Sequence, residues 1–353
     1  MPALNGLGQL SLPRRLTVSL VFCCVLFTVP WSAWADDVNR ISILEENDSI
    51  YFNSDQHYTQ GLRISDLVPD ISPDSVWNGP FSVADTLASI FAQDGSATDH
   101  TRRYALLLGQ SIFTPTYKSL SPPDPHDRPY GGWLYAGASL LQDSNHRMLE
   151  NLEIDLGIVG PGALGRVAQN DFHQFIGVAQ AKGWAHEIQT EPGLLLSYER
   201  LWRVPLVGDS SFGIDVVPQI GATVGNVFTY GEIGTLLRIG RNLQADYGQA
   251  RIRPALSGTD YFDGAHLDGN FGYYLFGGVQ GRVVGLNVFL DGNSFRSSPN
   301  VDKKPLVADA QAGFSLFWSN NWRVEFSAVR RTREFEGQTS PDWVGTAMLA
   351  FTL

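Results

Sequence analysis

Trp343-Val344-Gly345-Thr346-Ala347-Met348-Leu349-Ala350-Phe351-Thr352-Leu353 alternates with a strict period of two. Trp343, Gly345, Ala347, Leu349, Phe351 and Leu353 fall on one face of an extended chain, and Val344, Thr346, Met348, Ala350 and Thr352 on the other. A closing apolar strand of this kind resembles the last strand of an outer-membrane barrel, where the final residue is more often Phe.

The same pattern recurs upstream. Leu152, Ile154, Leu156 and Ile158 alternate with Glu153, Asp155 and Gly157, and Trp322, Val324, Phe326 and Ala328 with Arg323, Glu325 and Ser327. One apolar face opposite a charged one fits lipid outside and a wet lumen inside. A soluble sandwich would alternate similarly. No window after residue 35 is apolar enough for a transmembrane helix. The expected fold is all-β, a transmembrane antiparallel β-barrel of about twelve strands, with outward loops carrying short helical segments.

The twelve strands are expected near 41–47, 58–67, 102–112, 131–141, 149–159, 193–204, 211–223, 226–238, 271–292, 307–318, 321–333 and 343–353. Splitting the long ninth segment would give thirteen. Tyr104, Trp133, Trp202, Tyr273, Trp318, Trp322 and Trp343 near strand ends suit interfacial girdles. With both termini in the periplasm, 48–57, 113–130, 160–192, 224–225, 293–306 and 334–342 face outward. The turns 142–148, 205–210 and 319–320 face inward and are short. Segments 68–101 and 239–270 would be long periplasmic excursions, which departs from the usual pattern. Ser82 to Gln93 suits a short amphipathic helix.

Residues 1–35 read as a secretory signal: Arg14-Arg15, an apolar run from Leu16 to Val29, then Ala33-Trp34-Ala35 as a small-x-small cleavage site. The barrel then occupies 36–353 of a Gram-negative outer membrane. Cys23 and Cys24 leave with the signal, which excludes disulfide, thiol and zinc–thiolate chemistry from the mature chain. Losing Arg14 and Arg15 takes the net charge from −11 to −13. An acidic chain argues against nucleic acid as partner.

Between the first two strands lies a dense polar turn, Glu46-Asn47-Asp48-Ser49 and then Asp55-Gln56-His57-Tyr58-Thr59-Gln60-Gly61. In the barrel it shares the outward rim with Gln169-Asn170-Asp171-Phe172-His173. Asn-Asp before a hairpin is ordinarily a turn signal, Thr suits strands, and a loop histidine is usually solvated. Their convergence on one rim is what points to function. Neither a G-x-S-x-G elbow nor an H-E-x-x-H metal motif occurs.

Glu46-Asn47-Asp48, Tyr58-Thr59-Gln60-Gly61, Gly109-Gln110-Ser111-Ile112-Phe113-Thr114-Pro115, Asp127-Arg128, Leu156-Gly157-Ile158-Val159-Gly160-Pro161, Gln169-Asn170, His173, Ile176-Gly177 and Trp184 occur in that order. This ordered set resembles the outer-membrane lipid A 3'-O-deacylases. The resemblance implies a twelve-stranded barrel and Ca²⁺-dependent hydrolysis of the ester that holds the 3'-acyloxyacyl group of lipid A. It makes lipid A, or lipopolysaccharide, the partner in the outer leaflet. Catalytic roles fall to His173 as general base, Asn47 as oxyanion donor, Asp48 as Ca²⁺ ligand, and Thr59 in positioning. Lys118 and Arg128 are candidates for the lipid A phosphates. The family has a functional Glu six residues after its His, and here that position is Ala179; Glu187, Asp171 and Asp55 are other carboxylates of these loops. The alternatives are an outer-membrane phospholipase, whose H-x-S-N-G motif is missing, and a non-catalytic barrel, either a narrow channel or a lipopolysaccharide binder.

Overall fold

Twelve of the thirteen strands each hydrogen-bond to a neighbour on both sides, so their sheet closes on itself, the arrangement that satisfies a backbone without water. The computed structural model describes residues 39–52, 56–88, 91, 100–255, 260–264, 267–318 and 322–352. The expected signal at 1–35 lies outside them.

The first hairpin is β1 (Arg40–Asn47) and β2 (His57–Leu67), with a one-turn helix α1 (Ser49–Phe52) between them. Helix α2 (Gly79–Ala88) precedes β3 (His100–Thr114), β4 (Gly131–Ser144) and β5 (Met148–Val159). Helix α3 (Gly165–Ile176) precedes β6 (Glu191–Trp202), β7 (Val204–Gly208), β8 (Gly213–Gly225) and β9 (Phe228–Arg241). Then come β10 (Phe271–Asn287), the short α4 (Val288–Asp291), β11 (Leu306–Trp318), β12 (Trp322–Arg331) and β13 (Asp342–Thr352). All pairings are antiparallel; β1 pairs with β13 and β6 with β8, which closes a twelve-strand ring with β7 as an extra flap on β8. The ninth segment is not split: it is β10 ending in α4. The expected turn 205–210 holds part of β7.

Alternation sets the two faces. In β1, Arg40, Ser42, Leu44 and Glu46 are buried in the lumen while Ile41, Ile43, Glu45 and Asn47 face outward. In β3, Leu106 and Leu108 are exposed on the exterior.

The two segments expected as excursions are explained by where they fold. Residues 68–88 and Phe91 lie back against the outer wall: Val68 and Ile71 donate their N–H groups to the Tyr104 and Arg102 carbonyls, and Phe81 packs on Tyr104 and Phe91. The helix there is Gly79–Ala88. Between β9 and β10 the chain enters the lumen as a plug. Leu243, Ala245, Tyr247, Ala250, Ile252, Ala255, Tyr261 and Phe262 are buried in it.

Charge complementarity holds the plug. Its Arg253 donates to Glu153 and Glu199 on the wall, each at 3.0 Å. Its Arg251 donates to Glu46 at 3.0 Å and to Asp309 at 3.4 Å. In the reverse sense, wall arginines donate to plug carbonyls: Arg203 to Asp246, Arg323 to Gly248, Arg63 to Arg251 and Arg331 to Pro254. Buried charges persist because each is paired and hydrogen-bonded. At the loop end Phe113 stacks on Phe289 at 4.0 Å in an apolar cluster with Trp133, Tyr135 and Ile188. Among the described residues, plug and cluster both occupy the lumen.

Candidate functional site on the outer wall

The site grows from two local irregularities. At the first, β1 ends because the Asn47 side chain competes for the backbone: its Oδ1 accepts from Ser49 N at 2.8 Å and Ser49 Oγ at 2.6 Å. The Asn47 amide nitrogen is thereby turned back along the exterior, 3.4 Å from Glu45 Oε1. Asp48, buried, donates its N–H to the Thr59 carbonyl at 3.4 Å, and its Oδ2 accepts from Gln56 N at 2.5 Å.

The second irregularity is a bulge in β2. Tyr58 pairs with Phe113 and Gln60 with Ile112, which leaves Thr59 as the extra residue. Its hydroxyl meets that of Thr114 at 2.6 Å. His57 precedes it with φ 61°, its Nδ1 2.8 Å from Asp342 and its Nε2 3.2 Å from Thr116 Oγ1.

Register then sets a row across the wall: Asn47 is opposite Gln60, Gln60 opposite Ile112, and Ile112 opposite Gly132. At about 4.8 Å per strand, Asn47 stands about 10 Å from Ile112. Helix α3 is seated on the far half of this row. Ala168 packs with Ile112, Tyr130, Ala181 and Trp184. A Cβ on Gly132 would stand 3.0 Å from Ala163 Cβ and 3.5 Å from Gly165 Cα, so the missing side chain permits the approach. Gln110 Nε2 donates to the Ala163 carbonyl at 2.6 Å, and Trp184 Nε1 to Gln169 at 2.9 Å.

His173 lies buried near the C-terminus of α3. Gly177, left-handed at φ 72°, ends the helix, and Val178 N bonds back to the His173 carbonyl at 2.8 Å. That reversal brings the Ala179 carbonyl 2.9 Å from His173 Nδ1. A carbonyl only accepts, so Nδ1 carries the proton and Nε2 is the basic nitrogen. Ala179 thus orients the imidazole through its backbone, which no side-chain reading could register.

The remaining expected residues separate. Lys118 is half-buried in the 115–130 loop, and its carbonyl accepts from Lys182 N at 2.9 Å, next to the return of α3. Arg128 is fully buried: it donates to Glu334 at 3.1 Å and lies over the Phe113 and Phe335 rings. The expectation of a phosphate ligand there is corrected to a cation that ties two loops together. Burial works to raise the Glu334 carboxyl, but Arg128 and Arg331 beside it outweigh that and hold it below the usual range. Glu187, also buried, is pushed up to about 7 by burial, with Arg166 opposing. Arg166 is two helical turns from His173, about 10 Å along α3, which puts Glu187 by the other end of the helix. Asp55 lies outside the described residues.

Two residues were missed. Glu45 is on the exterior of β1 and its carboxylate accepts from both Asn47 and Gln60. The signal was available: a carboxylate at an outward position of a spanning strand is costly and marks function by default. Gln60 joins it from the middle of the row.

Ca²⁺ takes six to eight oxygen ligands. Asp48 and the carbonyls of its turn are hard oxygen donors and fit that preference, as a sparse set. No three His, Cys, Asp or Glu side chains gather as a metal cluster among the described residues.

A sealed antiparallel barrel with lipid-facing strands and a polar row on its outer surface defines an integral outer-membrane protein. The family model described as "Outer membrane protein LpxR" matches residues 20–353, and the chain belongs to that family. The family connects the barrel with lipid A. Among solved structures, LpxR from Salmonella typhimurium is similar in fold, with a TM-score of 0.70 at 19% identity over 89% of this chain and 100% of that one. The β domain of the Bordetella autotransporter BrkA has a TM-score of 0.44 at 10% identity, over 90% and 100%. No curated protein matches by sequence.

Proposed function

We propose that the protein hydrolyses the ester that holds the 3'-acyloxyacyl group of lipid A, with His173 as the base that activates water. The observation that carries this reading is the hydrogen bond from His173 Nδ1 to the Ala179 carbonyl, which leaves Nε2 basic. A neutral imidazole held in one tautomer suits proton abstraction from water. Asn47 Nδ2, turned to the exterior by the Ser49 contacts, donates to the developing oxyanion. Thr59, through Thr114, fixes the bulge that shapes the Asp48 turn. Lys118 is the cation for a lipid A phosphate. Asp48 would hold Ca²⁺, which when bound supplies positive charge for the ester carbonyl.

The non-catalytic reading rested on Ala179. The side chain missing there bears on calcium, whereas the orientation of the His173 ring rests on a backbone carbonyl and does not need it.

Mass spectrometry of lipid A from cells that express wild type or His173→Ala tests the proposal. Loss of the 3'-acyloxyacyl mass with wild type alone supports it. Unchanged lipid A with a folded wild-type barrel in the membrane sinks it and brings the lipopolysaccharide binder forward.

A further inference from the structure

The wall nearly opposite the site carries an outward groove of about 750 Å³. Its cross-strand rows are Gly231, Val283 and Leu306, then Ile233, Gly281 and Ala308, on β9, β10 and β11. Gly231, Gly281 and Ala308 form a low floor between Ile233, Val283 and Leu306, which are exposed or border the slot. A Cβ on Gly231 or Gly281 would meet nothing within 4 Å, so no neighbour fills the space.

At the loop end the groove runs out under cations. Lys304 and the exposed Arg333 line its mouth, and Arg330, outward on β12, stands opposite Ala310 in the next row. Glu336 is the acidic neighbour, 2.8 Å from Lys304 Nζ. The combination is asymmetric: an apolar slot along the membrane-facing wall, then guanidinium and ammonium groups where lipid headgroups begin.

We propose that this groove binds one phosphorylated lipid, with an acyl chain in the slot and its phosphate on Arg333 and Lys304. A chain lying over glycines gains close van der Waals contact that larger side chains would deny it. A guanidinium offers the phosphate a two-pronged hydrogen-bond donor, strongest where water is depleted. A protein partner of the same shape would have no use for cations confined to the headgroup level. The assignment is independent of hydrolysis on the other wall.

The purified barrel in detergent, titrated with dimyristoylphosphatidic acid and read by native mass spectrometry, tests the proposal; dimyristoylglycerol is the phosphate-free control. Wild type should retain one phosphatidic acid and release the diacylglycerol. The double change Lys304→Ser with Arg333→Ser should weaken retention at least tenfold, and so should Gly281→Leu, which fills the slot without a clash. Neither change should alter lipid A hydrolysis. Equal retention in either variant overturns the proposal. So does equal retention of the diacylglycerol, or a change of oligomeric state in Gly281→Leu with lipid retention intact.

Discussion

Arg251 sets its Nε 3.0 Å from Oε1 of Glu46, the residue immediately before Asn47. Arg251 belongs to the plug, which enters from the end of the barrel that carries the termini, whereas Glu46 is near the loop end of β1. The contact is reinforced by Ile252 N, 3.2 Å from the same oxygen, and by the Asp309 carboxylate on the far side of the guanidinium. The lumen therefore braces the strand whose outer face presents Asn47.

Removing one member of that pair leaves a buried charge alone, which costs about 3–5 kcal/mol. Arg251→Met should lower the urea midpoint of the refolded barrel and reduce hydrolysis. The double change Glu46→Gln with Arg251→Met should regain much of the stability. A double variant no more stable than the single one would show that the pair is not the brace.

Helix α3 depends on the missing side chain at Gly132. Gly132→Val should push Ala163 and Gly165 away and displace His173, with hydrolysis falling about 100-fold for a misplacement near 1 Å. The barrel should keep its resistance to unfolding in detergent, because the new side chain points outward. Full activity would place the functional imidazole elsewhere.

Glu45 is predicted to serve the site rather than the wall. Glu45→Gln keeps the size but weakens the acceptor for Asn47 and Gln60, and should cut kcat while leaving membrane insertion unchanged. Glu45→Leu should insert at least as well, since a lipid-facing carboxylate is costly, yet be equally slow. Unaltered kcat in both would reduce Glu45 to a wall residue.

Glu187 gives the α3 loop a pH dependence. Its folded value, raised to about 7, exceeds the value of 4.5 expected for an unburied glutamate. The folded state therefore binds the proton more tightly; the stabilisation is complete below 4.5 and is lost as pH rises through 7. Glu187→Gln should remove this loss and increase hydrogen-exchange protection of 177–190 at pH 8, by on the order of 1 kcal/mol after allowance for solvent screening. Identical protection in the two proteins at pH 8 would refute the linkage.

Calcium is expected to bind weakly, because a sparsely charged oxygen set places affinity in the range of about 10⁻⁴–10⁻³ M. EDTA should stop hydrolysis, and Asp48→Asn should shift the calcium needed for half-activity upward at least tenfold. The same shift should appear in the calcium-dependent melting temperature. Saturation at micromolar calcium would demand carboxylates beyond Asp48.

Alternation made the wall readable, because a strand seated between lipid and lumen must change polarity at every residue. The first hairpin, the paired ends of β4 and β5, and β13 all follow from it. The plug was invisible for the opposite reason: its mixture of Arg251, Arg253, Tyr247 and Ile252 has no period, and it is buried only because the wall around it is charged. Asn47, Asp48, Thr59 and His173 were singled out through resemblance rather than through alternation or any motif of their own. Arg128 illustrates what residue type alone conceals, since a loop arginine and a buried strut look the same in a sequence. Ala179 contributes through its backbone, which every residue possesses.

Most cations of the barrel wall grip the plug by its carbonyl oxygens, and a carbonyl is the same whatever side chain hangs beside it. Arg203, Arg323, Arg63 and Arg331 would accept almost any residue at 246, 248, 251 and 254 as far as those bonds are concerned. The charges the plug must supply itself are Arg251 and Arg253, with Asp246 for Arg238 and Arg323 and Asp260 for Arg63. Between those four points the interior is a socket that recognises a path rather than a text, and the plug can be rewritten, or used to carry foreign residues, while the four charges stay in place.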